Sequence, residues 1–218
     1  MLSYALNFTK VDYIKAYNLQ KYIVGKKIED STFPDIIIFL EHLPVFTIGK
    51  HASYKNITSI KHITKNRIPI IKTDRGGDIT FHNPGQLTIY PIINLKNISL
   101  SIKEYVAFLE DLVIDALNKY NIKTNKIDGT IGVFTDSGKI ASIGIACKRM
   151  ITYHGIAINI YNDLTPFKWI NPCGLNNINM TNVYNIIEFN NYLKHKLNQM
   201  SNQIFIEDMS FFQDSSSK

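Results

Sequence analysis

One long amphipathic segment, residues 101–120, lies between two groups of short β-prone segments, and this arrangement restricts the folds open to the chain. Its apolar residues recur every three or four positions, which is typical of a helix that buries one face. Ser101 and Glu104 have the spacing of a capping box, in which each side chain bonds the backbone N–H of the other residue. The segment therefore predicts a helix that begins at Ser101 and packs through one apolar face.

The β-prone segments indicate a sheet. Residues 36–40 are continuously apolar, which favours a strand buried on both faces. The other predicted strands cover residues 2–8, 44–48, 68–72, 86–95, 131–135, 139–146 and 155–160. Further helices are predicted at residues 12–26 and 185–200, a mobile loop at 50–67 and a disordered tail at 214–218. Because strands and helices do not alternate strictly, the pattern predicts a single α/β (α+β) domain over residues 1–213.

The composition narrows the classes of function. The chain has 218 residues and a formal charge of +6, but its lysines are scattered, so a solvated surface is the first interpretation, an acidic protein partner the second and nucleic acid the third. The longest apolar run is too short to cross a bilayer, and the N-terminus lacks the pattern of a secretory signal. Two cysteines cannot form a disulfide framework. We expect a protein of the reducing cytoplasm, with no membrane or nucleic-acid partner.

A glycine pair at Gly76-Gly77, in the run RGGDITFHNPGQ of residues 75–86, points to a ligand site. Two residues without Cβ atoms let the backbone approach a ligand closely. Arg75 and His82 flank the pair and could hold a polar or anionic group. For His82, as for His154, packing or hydrogen bonding is the more common role, and no third ligand suggests a metal site.

Cys173 lies in the sequence Asn-Pro-Cys-Gly, which is typical of a rigid turn. Proline fixes φ before the thiol and glycine frees the backbone after it, so the turn could present the thiol at a cleft. A free cysteine is more often a small buried apolar residue, so the motif alone leaves both interpretations open.

Lys139 begins a strand-like segment and is the candidate partner of a reactive thiol. As an ammonium ion it would favour the thiolate, and as a neutral amine it could take the thiol proton; a solvent-exposed lysine is the alternative. In an extended strand, Cys147 lies about 26 Å from Lys139. Cys147 is therefore expected to be structural.

Together these segments resemble the lipoyl(octanoyl) transferase family. The matching segments occur in the family's order over roughly residues 35–182 and are EHLPVFTIG (41–49), RGGDITFHNPGQ (75–86), GVF (132–134), KIASIG (139–144), HGIAIN (154–159) and NPCG (171–174). Two positions depart from the family pattern: Asn83 replaces a common glycine, and Asn182 replaces a common serine.

The resemblance implies the fold of biotin and lipoate protein ligases, a single domain with a mixed sheet flanked by helices. It implies transfer of an octanoyl group, without a cofactor, from octanoyl-acyl carrier protein to a lysine of lipoyl domains, in 2-oxoacid dehydrogenases and the glycine cleavage H protein. By position, Cys173 is the nucleophile and Lys139 its activator. The implied acyl-pocket residues are Arg75, Gly76, Gly77, Asp78, Ile79, Thr80, Phe81, His82, Ser142, Ile143, Gly144, Gly155, Ile156 and Ala157.

Three other functions are compatible with parts of this pattern. An ATP-dependent lipoate or biotin ligase would share the fold but would need no cysteine. A binding module would hold an acyl group or protein without turnover. A papain-like hydrolase would need a histidine oriented by Asn or Asp, and neither His82 nor His154 has that setting. The pairing of Cys173 with Lys139 favours transfer.

Overall fold

The computed structural model describes residues 3–174 and 178–183. Numbered along the chain, the strands and α-helices are β1 (Ser3–Val11), α1 (Tyr13–Glu29), β2 (Asp35–His42), β3 (Val45–Ile48), α2 (Ile60–Lys65), β4 (Ile70–Lys72), β5 (Ile79–His82), β6 (Gln86–Ile92), α3 (Ile102–Asn118), β7 (Val133–Thr135), β8 (Gly138–Lys148) and β9 (Ile151–Asn159). Short 3₁₀ helices cover Tyr54–Asn56, Leu95–Ile98, Thr165–Trp169 and Pro172–Gly174. None of the described helices is long and apolar enough to span a membrane.

Two sheets of mixed strand direction organise the domain. The larger has the strand order β1-β2-β6-β9-β8-β7, in which β1 and β2 are parallel and the other neighbours antiparallel. The smaller has the order β4-β3-β5, parallel between β3 and β4 and antiparallel between β3 and β5. The predicted mixed α/β architecture is confirmed.

Helices cover both faces of the larger sheet, and β2 shows why. Ile36 and Ile38 pack in a cluster with Ile23 of α1, whereas Ile37 packs in a second cluster with Leu109 of α3. Successive side chains of a strand point to opposite faces, so a strand between two helical layers must be apolar throughout. The prediction that residues 36–40 are buried on both faces is confirmed.

The predicted capping box at the start of α3 is present. Ser101 N donates to Glu104 Oε2 at 2.8 Å, and Glu104 N donates to Ser101 Oγ at 3.2 Å. These bonds satisfy two backbone donors that a helix N-terminus leaves unpaired. Helix α3 therefore starts where the sequence predicts.

The segment 50–67 differs from its prediction as a mobile loop. It contains a 3₁₀ helix and α2, and Thr58 N and Ser59 N both donate to Trp169 O, at 2.9 and 3.1 Å. Its polar composition suggested a loop, but its backbone is tied to a segment more than a hundred residues later. The predicted helix at 185–200 and tail at 214–218 lie outside the described residues.

Candidate active site

Cys173 lies on a tight turn held from both sides. Its φ of 58° is in the left-handed region, which is uncommon for residues other than glycine. Before it, Asn171 N donates to Asn56 O at 2.7 Å, and after it Gly174 N donates back to Asn171 O at 3.1 Å. The thiol is half-buried. The sequence suggested a rigid turn here, and the hydrogen bonds show what holds it.

The structure brings Lys139 to this thiol. Lys139 is fully buried at the start of β8, and its Nζ donates to Cys173 Sγ at 3.2 Å and to Ile131 O at 2.7 Å. Backbone hydrogen bonds also join Lys139 to the segment after Cys173: Lys139 N donates to Asn179 O, and Thr181 N donates to Lys139 O. Ser142 Oγ is 4.0 Å from the same sulfur. The two residues that the resemblance pairs are therefore in direct contact.

Gly132 makes room for the lysine side chain. Its φ is 134°, and a Cβ atom there would clash with Lys139 Cε and lie 2.7 Å from Ala141 O. A residue with a side chain would be strained in this backbone conformation and would displace the amine. Gly132 belongs to the GVF segment of the resemblance, which had no assigned role.

A cavity of about 440 Å³ opens beside Cys173. Most of the implied pocket residues line it: Arg75, Gly76, Gly77, Asp78, Thr80, His82, Ser142, Ile143, Gly144, Gly155, Ile156 and Ala157. Ile79 and Phe81 do not; both pack in an apolar cluster with Phe46. Side chains alternate along β5, so Thr80 and His82 face the cavity while Ile79 and Phe81 face away.

Further residues complete the cavity wall, and the sequence alone does not predict their position there. They are Tyr13, His51, Thr88, Tyr90, Ile102, Val106, residues 129–131, Ile145 and His154. Thr88 and Tyr90 have the spacing of one strand face, and Ile102 and Val106 that of one helix face. That periodicity shows which residues share a face but not which face meets a cavity.

Arg75 is a buried cation on the wall. It donates Nε to Thr47 Oγ1 at 3.2 Å, Nη2 to Thr47 O and Oγ1 at 2.7 and 2.9 Å, and Nη1 to Gly76 O at 3.0 Å. Burial lowers the pKa of its guanidinium, while electrostatic interactions with Tyr13 and Cys173 oppose that shift. Among the described residues no carboxylate is in ion-pair contact with Arg75 or Lys139. Two buried basic side chains therefore lie at the cavity, Lys139 in contact with the thiol and Arg75 on the wall, together with the carboxylate of Asp78.

Histidines on and behind the wall are held neutral. Burial lowers the pKa of His42 to about 4 and that of His82 well below its ordinary value. His42 Nε2 is 2.6 Å from Tyr90 Oη, and His82 Nδ1 is 2.6 Å from Gln86 Oε1. Burial also lowers the pKa of His154, although its contact with Asp74 opposes the shift. Near neutral pH these three histidines are therefore polar but uncharged.

The thiol has no histidine partner within the described chain. Its hydrogen-bond contacts there are with Lys139 and Ser142. A papain-like mechanism requires a histidine within hydrogen-bond reach of the cysteine. The geometry therefore favours a cysteine–lysine pair over that alternative.

Comparison with known sequences places the chain in a family. A sequence model of the lipoyl protein ligase A/B catalytic domain matches residues 12–207. A protein of Pelobacter propionicus named octanoyltransferase is 41% identical over 165 residues, which cover 76% of each chain. A second octanoyltransferase, from Azoarcus sp., is 40% identical over 167 residues, covering 76% of this chain and 70% of that relative.

Solved structures share the fold at low sequence identity. Lipoate-protein ligase A bound with ATP matches with a TM-score of 0.71 and 14% identity, covering 95% of this chain and 88% of the ligase. A biotin acetyl coenzyme A carboxylase synthetase from Helicobacter pylori matches with a TM-score of 0.52 and 12% identity, covering 90% and 74% of the two chains. The expected ligase-like fold is confirmed. By its family match and its identity to these relatives, the chain belongs to the lipoyl protein ligase A/B catalytic family and is an enzyme of its octanoyltransferase group.

Proposed function

We propose that this octanoyltransferase takes its acyl group from octanoyl-acyl carrier protein and delivers it to a lysine of a lipoyl domain, through a thioester on Cys173. The observation that carries the proposal is the 3.2 Å contact between Lys139 Nζ and Cys173 Sγ at the edge of a cavity. A nucleophile in contact with an activating group is the arrangement that covalent catalysis requires.

The first half-reaction exchanges one thioester for another. The Cys173 thiolate attacks the carbonyl carbon of the donor, a carbon–sulfur bond to Cys173 forms, and the carrier leaves as a thiolate that is then protonated. As an ammonium ion Lys139 stabilises the attacking thiolate; as a neutral amine it takes the thiol proton. The two thioesters have similar bond energies, so the intermediate divides the transfer into two easier steps.

The second half-reaction forms the amide. The neutral amine of the acceptor lysine attacks the Cys173 thioester, the new carbon–nitrogen bond forms, and the sulfur leaves as a thiolate. The proton lost by the amine passes to Lys139 or to solvent. The enzyme returns to its starting state, with no cofactor consumed.

The tetrahedral intermediates need donors for their oxyanion. Gly76 N–H already donates to Ile145 O at 2.7 Å, so we assign the role to Gly77 N–H and Arg75. Four hydrogen bonds account for four of the five N–H groups of the Arg75 guanidinium. The remaining N–H, on Nη1, and the fixed positive charge would stabilise an oxyanion beside Cys173.

The cavity of about 440 Å³ beside Cys173 would receive the acyl chain. Ile143, Ile156 and Ala157 supply apolar wall beside the thiol, and Tyr13 and Tyr90 complete the cavity. One methylene contributes only about 0.8 kcal/mol of burial, roughly fourfold in affinity, so steric closure must select chain length.

Surface charge and cysteine state support the proposed partners and compartment. Acyl carrier proteins and lipoyl domains are typically acidic, and the formal charge of +6 would accelerate encounter in a salt-dependent way. A solved structure of the same fold contains a bipartite lipoate protein ligase and its E2 lipoyl domain, from Thermoplasma acidophilum. Both cysteines are free thiols, which fits a reducing cytoplasm.

A transfer assay with a lipoyl domain tests the proposal. We expect octanoylated lipoyl domain from octanoyl-acyl carrier protein, loss of the product in Cys173→Ser, and its retention in the matched control Cys147→Ser. A parallel reaction with free octanoate and ATP should give no product. Product in that reaction alone would identify a ligase, and an active Cys173→Ser would exclude the thioester.

A further inference from the structure

A buried carboxylate on α3 has no place in the reaction described so far. Glu110 is buried on the helix face that also buries Leu109 and Val113. Burying a carboxylate is costly unless hydrogen bonds compensate for lost hydration. The contacts of Glu110 therefore indicate what the residue does.

The close partner of Glu110 is a backbone amide. Gly132 N donates to Glu110 Oε1 at 2.8 Å. Lys126 Nζ lies 3.8 Å from Glu110 Oε2 but only 2.7 Å from Asp111 Oδ1, so Lys126 pairs mainly with Asp111. A hydrogen bond from an amide to a charged carboxylate is stronger than one to a neutral acceptor. Glu110 thus fixes the position of Gly132.

Gly132 is adjacent in sequence to a residue that binds the side chain of Lys139. The preceding residue, Ile131, accepts a hydrogen bond on its carbonyl from Lys139 Nζ at 2.7 Å. The same Nζ donates to Cys173 Sγ at 3.2 Å. A continuous set of contacts therefore runs from Glu110 through the Gly132 amide and Ile131 carbonyl to Lys139 and the thiol.

The loop that supplies the Ile131 carbonyl needs such an anchor. Ile127 and Ile131 are both exposed, so the loop gains little from apolar burial. Gly129 and Gly132 have φ values of 77° and 134°, conformations that glycine alone adopts readily. A loop with little burial is held in one position mainly by its hydrogen bonds.

We propose that Glu110 is a positioning residue: by bonding Gly132 N–H it fixes the Ile131 carbonyl, and thereby the Lys139 amine against Cys173. The inference rests on the proposed cysteine–lysine mechanism, and Glu110 itself touches no reacting atom. The charged groups facing the thiol are Lys139 from β8, Arg75 and Asp78, whereas Glu110 and Lys126 lie behind the loop.

Alkylation of Cys173 by iodoacetamide, followed by peptide mass spectrometry across pH, tests the inference without either substrate. Glu110→Ala removes the acceptor, and Glu110→Gln keeps an oxygen that can accept from Gly132. Asp111→Ala is the matched control, since it removes the close partner of Lys126 and leaves the Gly132 contact. If Glu110→Ala does not fold, Glu110→Leu fills the buried space without an acceptor. Alkylation of Cys147 in the same samples is the internal reference.

We expect Glu110→Ala to slow Cys173 alkylation at neutral pH and octanoyl transfer by roughly tenfold to a hundredfold, as a misplaced catalytic group does, with KM unchanged. Asp111→Ala should behave like the wild type, and Glu110→Gln, whose neutral oxygen accepts a weaker bond from Gly132, should lose clearly less activity than Glu110→Ala. A purely structural role would lower the melting temperature but leave the pH profile of Cys173 alkylation unchanged, and that result would overturn the inference. Equal losses in Glu110→Gln and Glu110→Ala would also overturn it.

Lys139→Met separates this inference from the proposed mechanism. If Lys139→Met slows alkylation and Glu110→Ala does not, the positioning role alone is wrong. If neither variant slows alkylation, the activated thiol itself is wrong, and the positioning role with it.

Discussion

Replacing Lys139 by methionine should slow the first half-reaction while leaving the cavity in place. Methionine is unbranched and flexible, so it can occupy the space of the buried lysine stem beside Gly132. It removes the amine that lies 3.2 Å from Cys173 Sγ and the bond to Ile131 O. The substitution therefore tests the amine rather than the packing around it.

The contact distance sets the size of the expected effect. At 3.2 Å, an ammonium–thiolate pair is worth about 1 kcal/mol in bulk water and about 5 kcal/mol at an effective dielectric constant near 20. Cys173 is half-buried, so screening reduces the upper value, and the desolvation of Lys139 reduces it further. We take about 1.5–3 kcal/mol, which is roughly tenfold to a hundredfold in rate.

The assay is the single-turnover rate of Cys173 acylation by octanoyl-acyl carrier protein, followed by intact mass at several pH values. Lys148→Met is the matched control, because Lys148 is an exposed lysine on the same strand. We expect Lys139→Met to lose most of its rate at neutral pH and to recover part of it at alkaline pH, where hydroxide generates the thiolate. An unchanged acylation rate in Lys139→Met would refute an activating role for the amine.

Four further outcomes follow from the structure. The free energy of unfolding should decrease as pH falls from about 6.5 to about 4. In that window the unfolded state protonates His42, whereas the folded state, in which burial lowers the His42 pKa to about 4, does not. The loss of stability is about 3 kcal/mol at most. Chemical denaturation should show a flatter pH dependence in His42→Gln but not in the exposed-residue control His51→Asn. Gly132→Ala should reduce transfer strongly, since the alanine Cβ would clash with Lys139 Cε. Gly25→Ala, in α1, has no atom within 4 Å of the added Cβ, and thermal melts should show it to be more stable by about 0.5–1 kcal/mol. The rate of transfer at limiting donor should fall as salt rises, and an unchanged rate would count against electrostatic attraction of an acidic carrier.

Local patterns predicted much of the fold. The continuous apolar run of β2 indicated burial on both faces, and the Ser101–Glu104 spacing located the start of α3. Both signals act within a few residues of the chain. The order of segment 50–67 was not predictable in this way, because it depends on bonds to Trp169 O and Asn171 N.

Prediction of the candidate site depended more on the family resemblance than on local sequence patterns. Lys139 and Cys173 are 34 positions apart and meet through tertiary structure, which spacing alone does not indicate. The role of Glu110 was not predictable from the sequence for a related reason. A glutamate on a helix is usually exposed, and the partner of Glu110 lies across a loop. The orientation of Ile79 and Phe81, by contrast, was accessible from strand alternation once His82 was placed at the site.

Peptide mass spectrometry after incubation with octanoyl-acyl carrier protein alone tests the central claim most directly. We expect the mass of one octanoyl group on the peptide containing Cys173, lost on treatment with hydroxylamine and transferred when a lipoyl domain is added. An octanoyl group on Cys147, or an unmodified Cys173 in an enzyme that still transfers the acyl group in single turnover, would contradict the account.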